Sequence, residues 1–264
     1  MVPRCLTIAT SDSGGGAGIQ ADLKAFARLG CHGSSAIVAL TAQNTVAVTG
    51  VYEVPPDFIR AQLEAVLADI GVDAAKTGML FSAPIIETVA GFLEKHPVPL
   101  VVDPVMVAAS GAQLLLDDAV AVLVERLFPL ATVVTPNLHE ACALAGVAYS
   151  ENAERGALAE AVHALGAPAV VVTGGHGVDA VDWFYDGERH VPIPVERHGE
   201  GATHGAGCTH SASLAAFLAR GEGLEEAARN AAQVAGEAVR NGLAEIGAGS
   251  GPVDVFGLAP LRAG

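Results

Sequence analysis

Cys5-Leu6-Thr7-Ile8-Ala9-Thr10-Ser11-Asp12-Ser13-Gly14-Gly15-Gly16-Ala17-Gly18-Ile19-Gln20-Ala21-Asp22 reads as a buried strand, a glycine turn and the start of a helix. The apolar run Cys5–Ala9 is short and β-rich, and helical periodicity takes over from Ile19 to Leu29. The same alternation continues down the chain. Strands are expected at Ser35–Leu40, Ala74–Thr77, Leu100–Asp103, Thr132–Thr135 and Ala169–Thr173, and helices at Asp57–Ile70, Ala83–Glu94, Ala119–Leu127 and Ala153–Leu165. Asp182–Tyr185 and Arg189–Val195 flank Asp186-Gly187, a hairpin signal. Two helices, Ala206–Ala219 and Leu224–Glu245, follow. Near-continuous apolar strands between helices predict an α/β fold, with a central, mostly parallel sheet covered by helices on both faces. No repeat or linker divides the chain, so residues 1–264 are expected to form one domain.

Composition narrows the function. The net charge is −15, from 29 acidic against 14 basic residues, and Lys24, Lys76 and Lys95 are the only lysines. A basic nucleic-acid-binding face is therefore not expected. Phosphate-bearing ligands must be held by backbone dipoles, a metal ion or a few placed cations. No apolar run reaches the ~18 residues of a membrane span, and Arg4 followed by Asp12 does not read as a signal peptide, so a cytoplasmic location is expected. The four cysteines, Cys5, Cys31, Cys142 and Cys208, form no Cys-x-x-Cys pair and predict neither a disulfide framework nor a zinc ribbon.

In open parallel sheets ligands bind beyond the carboxyl ends of the strands. Gly16–Ala21 matches the loose G-x-G-x-x-A fingerprint, but no acid stands at the end of the second strand, where Thr41-Ala42-Gln43-Asn44 is found. A tight turn into a helix explains the loop equally well. Thr203-His204-Gly205-Ala206-Gly207-Cys208 opens an apolar helix, so its N–H groups can receive an anion or the charge of a transferred phosphoryl group. The same field is expected to lower the Cys208 pKa. A flexible helix entry with a buried cysteine is the plainer reading. Zinc on His204, Cys208 and His210 is disfavoured because the three share one loop. Asn137-Leu138-His139-Glu140 after Pro136 carries helix-capping residues, which could equally position hydrated Mg²⁺, with Asp103 as a further ligand.

Together and in order, Gly15–Asp22 (GGAGIQAD), Thr41–Thr45 (TAQNT), Lys76–Leu80 (KTGML), Asp103–Met106 (DPVM), Thr135–Asn137 (TPN), Gly174–His176 (GGH) and Thr203–Cys208 (THGAGC) resemble the hydroxymethylpyrimidine/phosphomethylpyrimidine kinases of thiamine biosynthesis. These belong to the ribokinase-like superfamily. The resemblance runs from Leu6 to about Phe256 and includes the Gly-x-Gly-Pro-x-Asp element Gly249–Asp254; no second thiamine-synthesis domain is expected. It implies a ribokinase-like fold and ATP with Mg²⁺ as cofactors. Gly205, Ala206 and Gly207 would form the anion hole, with Cys208 as the base. Gln43, Asp22, Ala17, Met79 and Val105 would contact the pyrimidine. Thr173, Gly175, Asn137 and Thr203 would contact ATP, and Glu140 with Asp103 would serve the metal. A homodimer is compatible with the superfamily.

Five positions depart from that family pattern: Thr10 and Ala206 replace a usual Gly and Thr, Ala109 and Thr173 replace lysines, and Ala202 replaces Asn. Thr10 is expected to narrow the pocket mouth. The implied activity is phosphorylation of 4-amino-5-hydroxymethyl-2-methylpyrimidine and then of its monophosphate. Pyridoxal kinase and a catalytically weakened pyrimidine-binding protein are the alternatives.

Overall fold

The computed structural model describes residues 1–106, 115, 117–174, 180–196 and 202–258. Nine strands form one sheet: β1 (Arg4–Asp12), β2 (His32–Gln43), β3 (Val48–Glu53), β4 (Ala74–Thr77), β5 (Leu100–Val102), β6 (Val133–Val134), β7 (Val170–Val172), β8 (Val181–Tyr185) and β9 (His190–Pro194). Their order is β3-β2-β1-β4-β5-β6-β7-β8-β9. The six strands from β2 to β7 are parallel, and β3, β8 and β9 join antiparallel at the two margins. This is the expected mostly parallel α/β sheet.

The helices are α1 (Gly18–Arg28), α2 (Pro56–Ala65), α3 (Ala83–Leu93), α4 (Asp117–Leu127), α5 (Leu138–Leu144), α6 (Arg155–Ala164), α7 (Ala206–Ala219) and α8 (Leu224–Arg240). The period-two rule of a strand divides the core into two layers. Leu6, Ile8, Leu100, Val102, Val134, Val170 and Val172 face the layer that receives Ile59, Ile86, Leu123 and Leu158 from α2, α3, α4 and α6. Cys5, Val101, Val133 and Val171 face the opposite layer, with Phe26, Leu214, Phe217 and Ala228 from α1, α7 and α8. Every residue from Thr209 to Phe217 is buried, so α7 is enclosed all round and is built of small residues.

Several elements differ from expectation, and β1 and β2 run longer than their apolar cores, over Arg4–Asp12 and His32–Gln43. The segment Asp57–Ile70 begins as an α-helix and ends as a π-turn over Val66–Ile70, stopped by Gly71 at φ 76°. The last helix ends at Arg240 rather than Glu245. β3 has no apolar run to announce it, because this margin of the sheet leaves most of its side chains in water. Among the described residues no helix is long and apolar enough to cross a membrane.

Candidate active site

The first glycine loop is organised by one carboxylate. Asp12, at the end of β1, is 3% exposed. Its oxygens accept hydrogen bonds from the amides of Gly14 (2.7 Å), Gly16 (3.0 Å) and Ala17 (2.9 Å), and His204 Nε2 lies 3.0 Å away. Burial alone would raise the Asp12 carboxyl; His204 and the amides outweigh it and hold the group below the ordinary carboxylate range. The amides that a phosphate would need are therefore occupied. The dinucleotide reading of Gly16–Ala21 has no physical support here.

The second glycine loop meets the first back to back. Gly205 has φ 86°, and a Cβ on it would stand 1.8 Å from the Gly16 carbonyl oxygen. Only glycine fits both constraints. Ala206 N–H donates to the Thr203 carbonyl at 3.1 Å. The next two amides, of Gly207 and Cys208, have no acceptor among the described residues. They lie in the first turn of α7, where the helix dipole favours negative charge.

Cys208 is half-buried, and the Gly18 amide points at its sulfur. Its pKa does not fall as the helix start led the sequence reading to expect. Burial pushes the thiol up to about 12, and the Asp22 and Asp103 carboxylates add to that, against Lys76 and the Gly18 amide. The thiol is protonated at neutral pH.

Beneath it lies a buried charged layer. Lys76, fully enclosed on β4, contacts both Asp22 oxygens at 2.9 and 3.0 Å and lies 3.8 Å from Asp103 Oδ2. Thr7 Oγ1 donates to Asp22 at 2.5 Å, and Ser211 Oγ donates to Asp103 at 2.8 Å. Burial tends to neutralise all three charges; for Lys76 the facing acids and Cys208 prevail and raise its pKa. Asp22 and Asp103 remain shifted up by burial.

Glu140 forms a complete capping box with Asn137: its carboxylate accepts Asn137 N–H at 2.9 Å, and Asn137 Oδ1 accepts Glu140 N–H at 3.0 Å. Capping is thus a real role for both residues. The second Glu140 oxygen accepts Met106 N–H at 3.2 Å. Burial, and then the neighbouring Asp103, push its carboxyl up to about 8. A carboxyl whose proton affinity is raised by burial and by a neighbouring acid fits a cation beside it. Among the described residues, no three His, Cys, Asp or Glu side chains close into a protein-only metal cage. The oxygen donors of Glu140 and Asp103 suit Mg²⁺, which takes one or two carboxylates and completes its shell with water and phosphate oxygens.

The other residues expected to contact ligands are held as follows. Thr173 lies beside Asn137, its N–H donating to the Pro136 carbonyl at 2.9 Å. The Thr203 hydroxyl lies 3.1 Å from Ser250 Oγ. Gln43 Oε1 accepts the Thr41 hydroxyl at 3.1 Å, and its backbone is held to Ser13 Oγ. Met79 is buried, Ala17 and Val105 are half-buried, and Asp22 is fully enclosed by Lys76 and Thr7. The Thr10 hydroxyl is directed at the Met79 carbonyl, 3.0 Å away, and so ties β1 to the segment after β4. Gly175, His176 and Ala109 lie outside the described residues. The segment 249–253 links Thr45 and His204: Gly249 N–H donates to Thr45 Oγ1, His204 N–H to the Gly251 carbonyl, and Val253 N–H to the His204 carbonyl. Sequence reasoning missed the roles of Asp12, His204, Lys76 and Ser211. Lys76 carried a signal, a lone charge inside the apolar strand Ala74–Thr77.

A family model described as phosphomethylpyrimidine kinase matches residues 12–254. A hydroxymethylpyrimidine/phosphomethylpyrimidine kinase of Rhizobium meliloti is 48% identical over 260 residues, 97% of this chain and 98% of the relative. The thiamine biosynthesis bifunctional protein ThiED of Geobacter sulfurreducens is 49% identical over 253 residues, 94% of this chain and 51% of that longer protein. Among solved structures, a Bacillus subtilis pyridoxal kinase as an ADP complex superimposes with TM-score 0.89 at 39% identity, covering 96% of this chain and 97% of that one. A phosphomethylpyrimidine kinase from Clostridium difficile 630 gives 0.77 at 38% identity, covering 88% and 96%.

Proposed function

The chain belongs to the phosphomethylpyrimidine kinase family, and from that premise we propose that it transfers the γ-phosphoryl group of ATP to the hydroxymethyl group of 4-amino-5-hydroxymethyl-2-methylpyrimidine, then phosphorylates the monophosphate. It is a phosphotransferase of thiamine biosynthesis. The observation that carries the proposal is the pair of unoccupied amides on Gly207 and Cys208, set at a helix N-terminus beside a buried lysine.

Phosphoryl transfer requires positioning and charge stabilisation more than covalent participation by the protein. Gly205, Ala206, Gly207 and Cys208 form the hole for the transferred group in this reading. Gln43, Asp22, Ala17, Met79 and Val105 surround the pyrimidine, where the Gln43 amide matches a ring nitrogen and its exocyclic amine. Thr173, Gly175, Asn137 and Thr203 border the nucleotide. Glu140 and Asp103 would hold Mg²⁺, which when bound neutralises phosphate charge. Cys208 accepts the hydroxyl proton. Its thiol is protonated at rest, so it must first release that proton to solvent as the site loads, and the facing Lys76 charge and the Gly18 amide favour the thiolate that then takes the hydroxyl proton.

Pyridoxal kinase is the second reading, favoured by the TM-score of the Bacillus subtilis neighbour. The lower score of the Clostridium protein accompanies a smaller matched share of this chain, 88% against 96%, whereas relatives at 44–48% identity carry the pyrimidine-kinase function in their names. We also propose one kinase domain over residues 1–264, a cytoplasmic location and a homodimer. A coupled ATP-consumption assay on the pyrimidine, its monophosphate and pyridoxal tests the function. Higher kcat/KM on both pyrimidines is expected, and preferential turnover of pyridoxal overturns the reading.

A further inference from the structure

His210 lies in α7, two residues beyond Cys208, and is 3% exposed. A histidine at such a depth ordinarily has its ring nitrogens hydrogen-bonded. Here neither Nδ1 nor Nε2 has a hydrogen-bond partner among the described residues. The ring instead lies near carboxylates. Nε2 is 3.4 Å from Asp182 Oδ2, and the Asp103 carboxylate is within electrostatic reach of the ring.

Asp182, buried on β8, is already engaged: its Oδ1 accepts the Gly174 amide at 2.7 Å. Gly174 leaves β7 directly after Thr173. A Cβ there would lie 1.8 Å from the Val181 carbonyl oxygen, so its backbone is pressed against β8. Asp182 therefore fixes the direction in which the chain enters the nucleotide side. His210 is the described cationic or N–H-bearing side chain within reach of the other Asp182 oxygen.

We propose that His210 is a positioning residue of the kinase reaction: its ring nitrogen Nε2, 3.4 Å from Asp182 Oδ2, braces the carboxylate that holds the Gly174 amide, joining the nucleotide loop to the helix whose first turn receives the phosphoryl group. This rests on the kinase reading given above. It extends that reading to a residue that touches neither substrate. Loss of the contact should loosen nucleotide binding and leave the pyrimidine side intact.

The experiment compares the wild-type protein with His210→Leu, which keeps the bulk and removes the donor, and His210→Gln, whose amide nitrogen approximates Nε2. ADP binding is measured by calorimetry, KM for ATP and pyrimidine by coupled assay, and folding by thermal melt. His210→Leu should weaken ADP binding and raise the ATP KM by about 10-fold, the scale of one polar contact to a buried carboxylate. The pyrimidine KM should change less than about 2-fold, and Gln should recover most of the loss. Asp182→Asn added to His210→Leu should cost little more, since the two act as a unit. Unchanged ADP affinity in His210→Leu, equal losses for both substrates, or a Gln variant as weak as Leu overturns the proposal. If the wild type binds ADP but turns over no pyrimidine, the substrate reading fails while the binding comparison still decides the role of His210. If it binds no ADP, both fall.

Discussion

Two glycine-rich loops touch at Gly16 and Gly205, and they have opposite chemistry. In the first, Asp12 occupies three amides and carries its own negative charge into the cradle. In the second, the amides of Gly207 and Cys208 are unoccupied at the head of α7. Glycine content is alike; the fate of the N–H groups differs. A glycine loop is an anion site only where its amides have no internal acceptor, and one aspartate can convert such a loop into a structural strut.

The largest test falls on the open loop. Cys208→Ala should leave the melting temperature nearly unchanged and lower kcat by ~10²–10⁴, the range for general acid–base groups. With the thiol pKa raised to about 12, kcat/KM for the pyrimidine should climb about tenfold per pH unit between roughly pH 7 and 9, and alkylation at neutral pH should be slow. A flat pH profile, or near-normal turnover of the alanine variant, removes Cys208 as the base.

The closed loop should answer in stability. Asp12→Ala strands buried amides and His204, at a cost of about 3–5 kcal/mol. Because the folded Asp12 carboxyl is depressed, its contribution is complete above the unfolded value of ~3.9 and is lost as pH falls through the folded one. Thermal melts of both proteins from pH 6 downward should therefore converge in acid. If the gap persists undiminished at low pH, the loop is held by something other than this carboxylate.

Gln43 is joined to the closed loop through Ser13 and probes whether that loop serves the pyrimidine side. Gln43→Leu should raise the pyrimidine KM by the equivalent of ~1–3 kcal/mol and spare the ATP KM. Equal loss for both substrates makes the residue structural. The smallest effect is expected at Thr173, which adjoins Asn137 across β7. Thr173→Lys should lower the ATP KM by a factor worth ~1–2 kcal/mol and flatten the dependence on free Mg²⁺. An ATP titration at several Mg²⁺ concentrations showing no change, or a rise, misplaces the phosphates.

The order of strands and helices was legible because burial on both faces makes each strand a short apolar run and each covering helix periodic. β3 was not, since an exposed margin has no such run. In the site, Glu140 and Asn137 were legible from a local motif, and the capping box realises it. The Cys208 pKa was misread for a specific reason. The α7 dipole is local in sequence, but Asp22 and Asp103, which oppose it, stand 186 and 105 positions earlier and meet the thiol only in the folded chain. Asp12 reads as an ordinary turn residue until the fold delivers His204 to it.

The segment 249–253 pins Thr45 on one side and His204 on the other. During translation, the glycine loops are made far apart in time: Gly16 emerges early, Gly205 late, and the clasp that secures them later still. A nascent chain that has not yet exposed Gly251 can fold much of its sheet, but it cannot brace the two loops against each other. Competence for phosphoryl transfer therefore waits until Gly251 has been made, after the scaffold and not along with it.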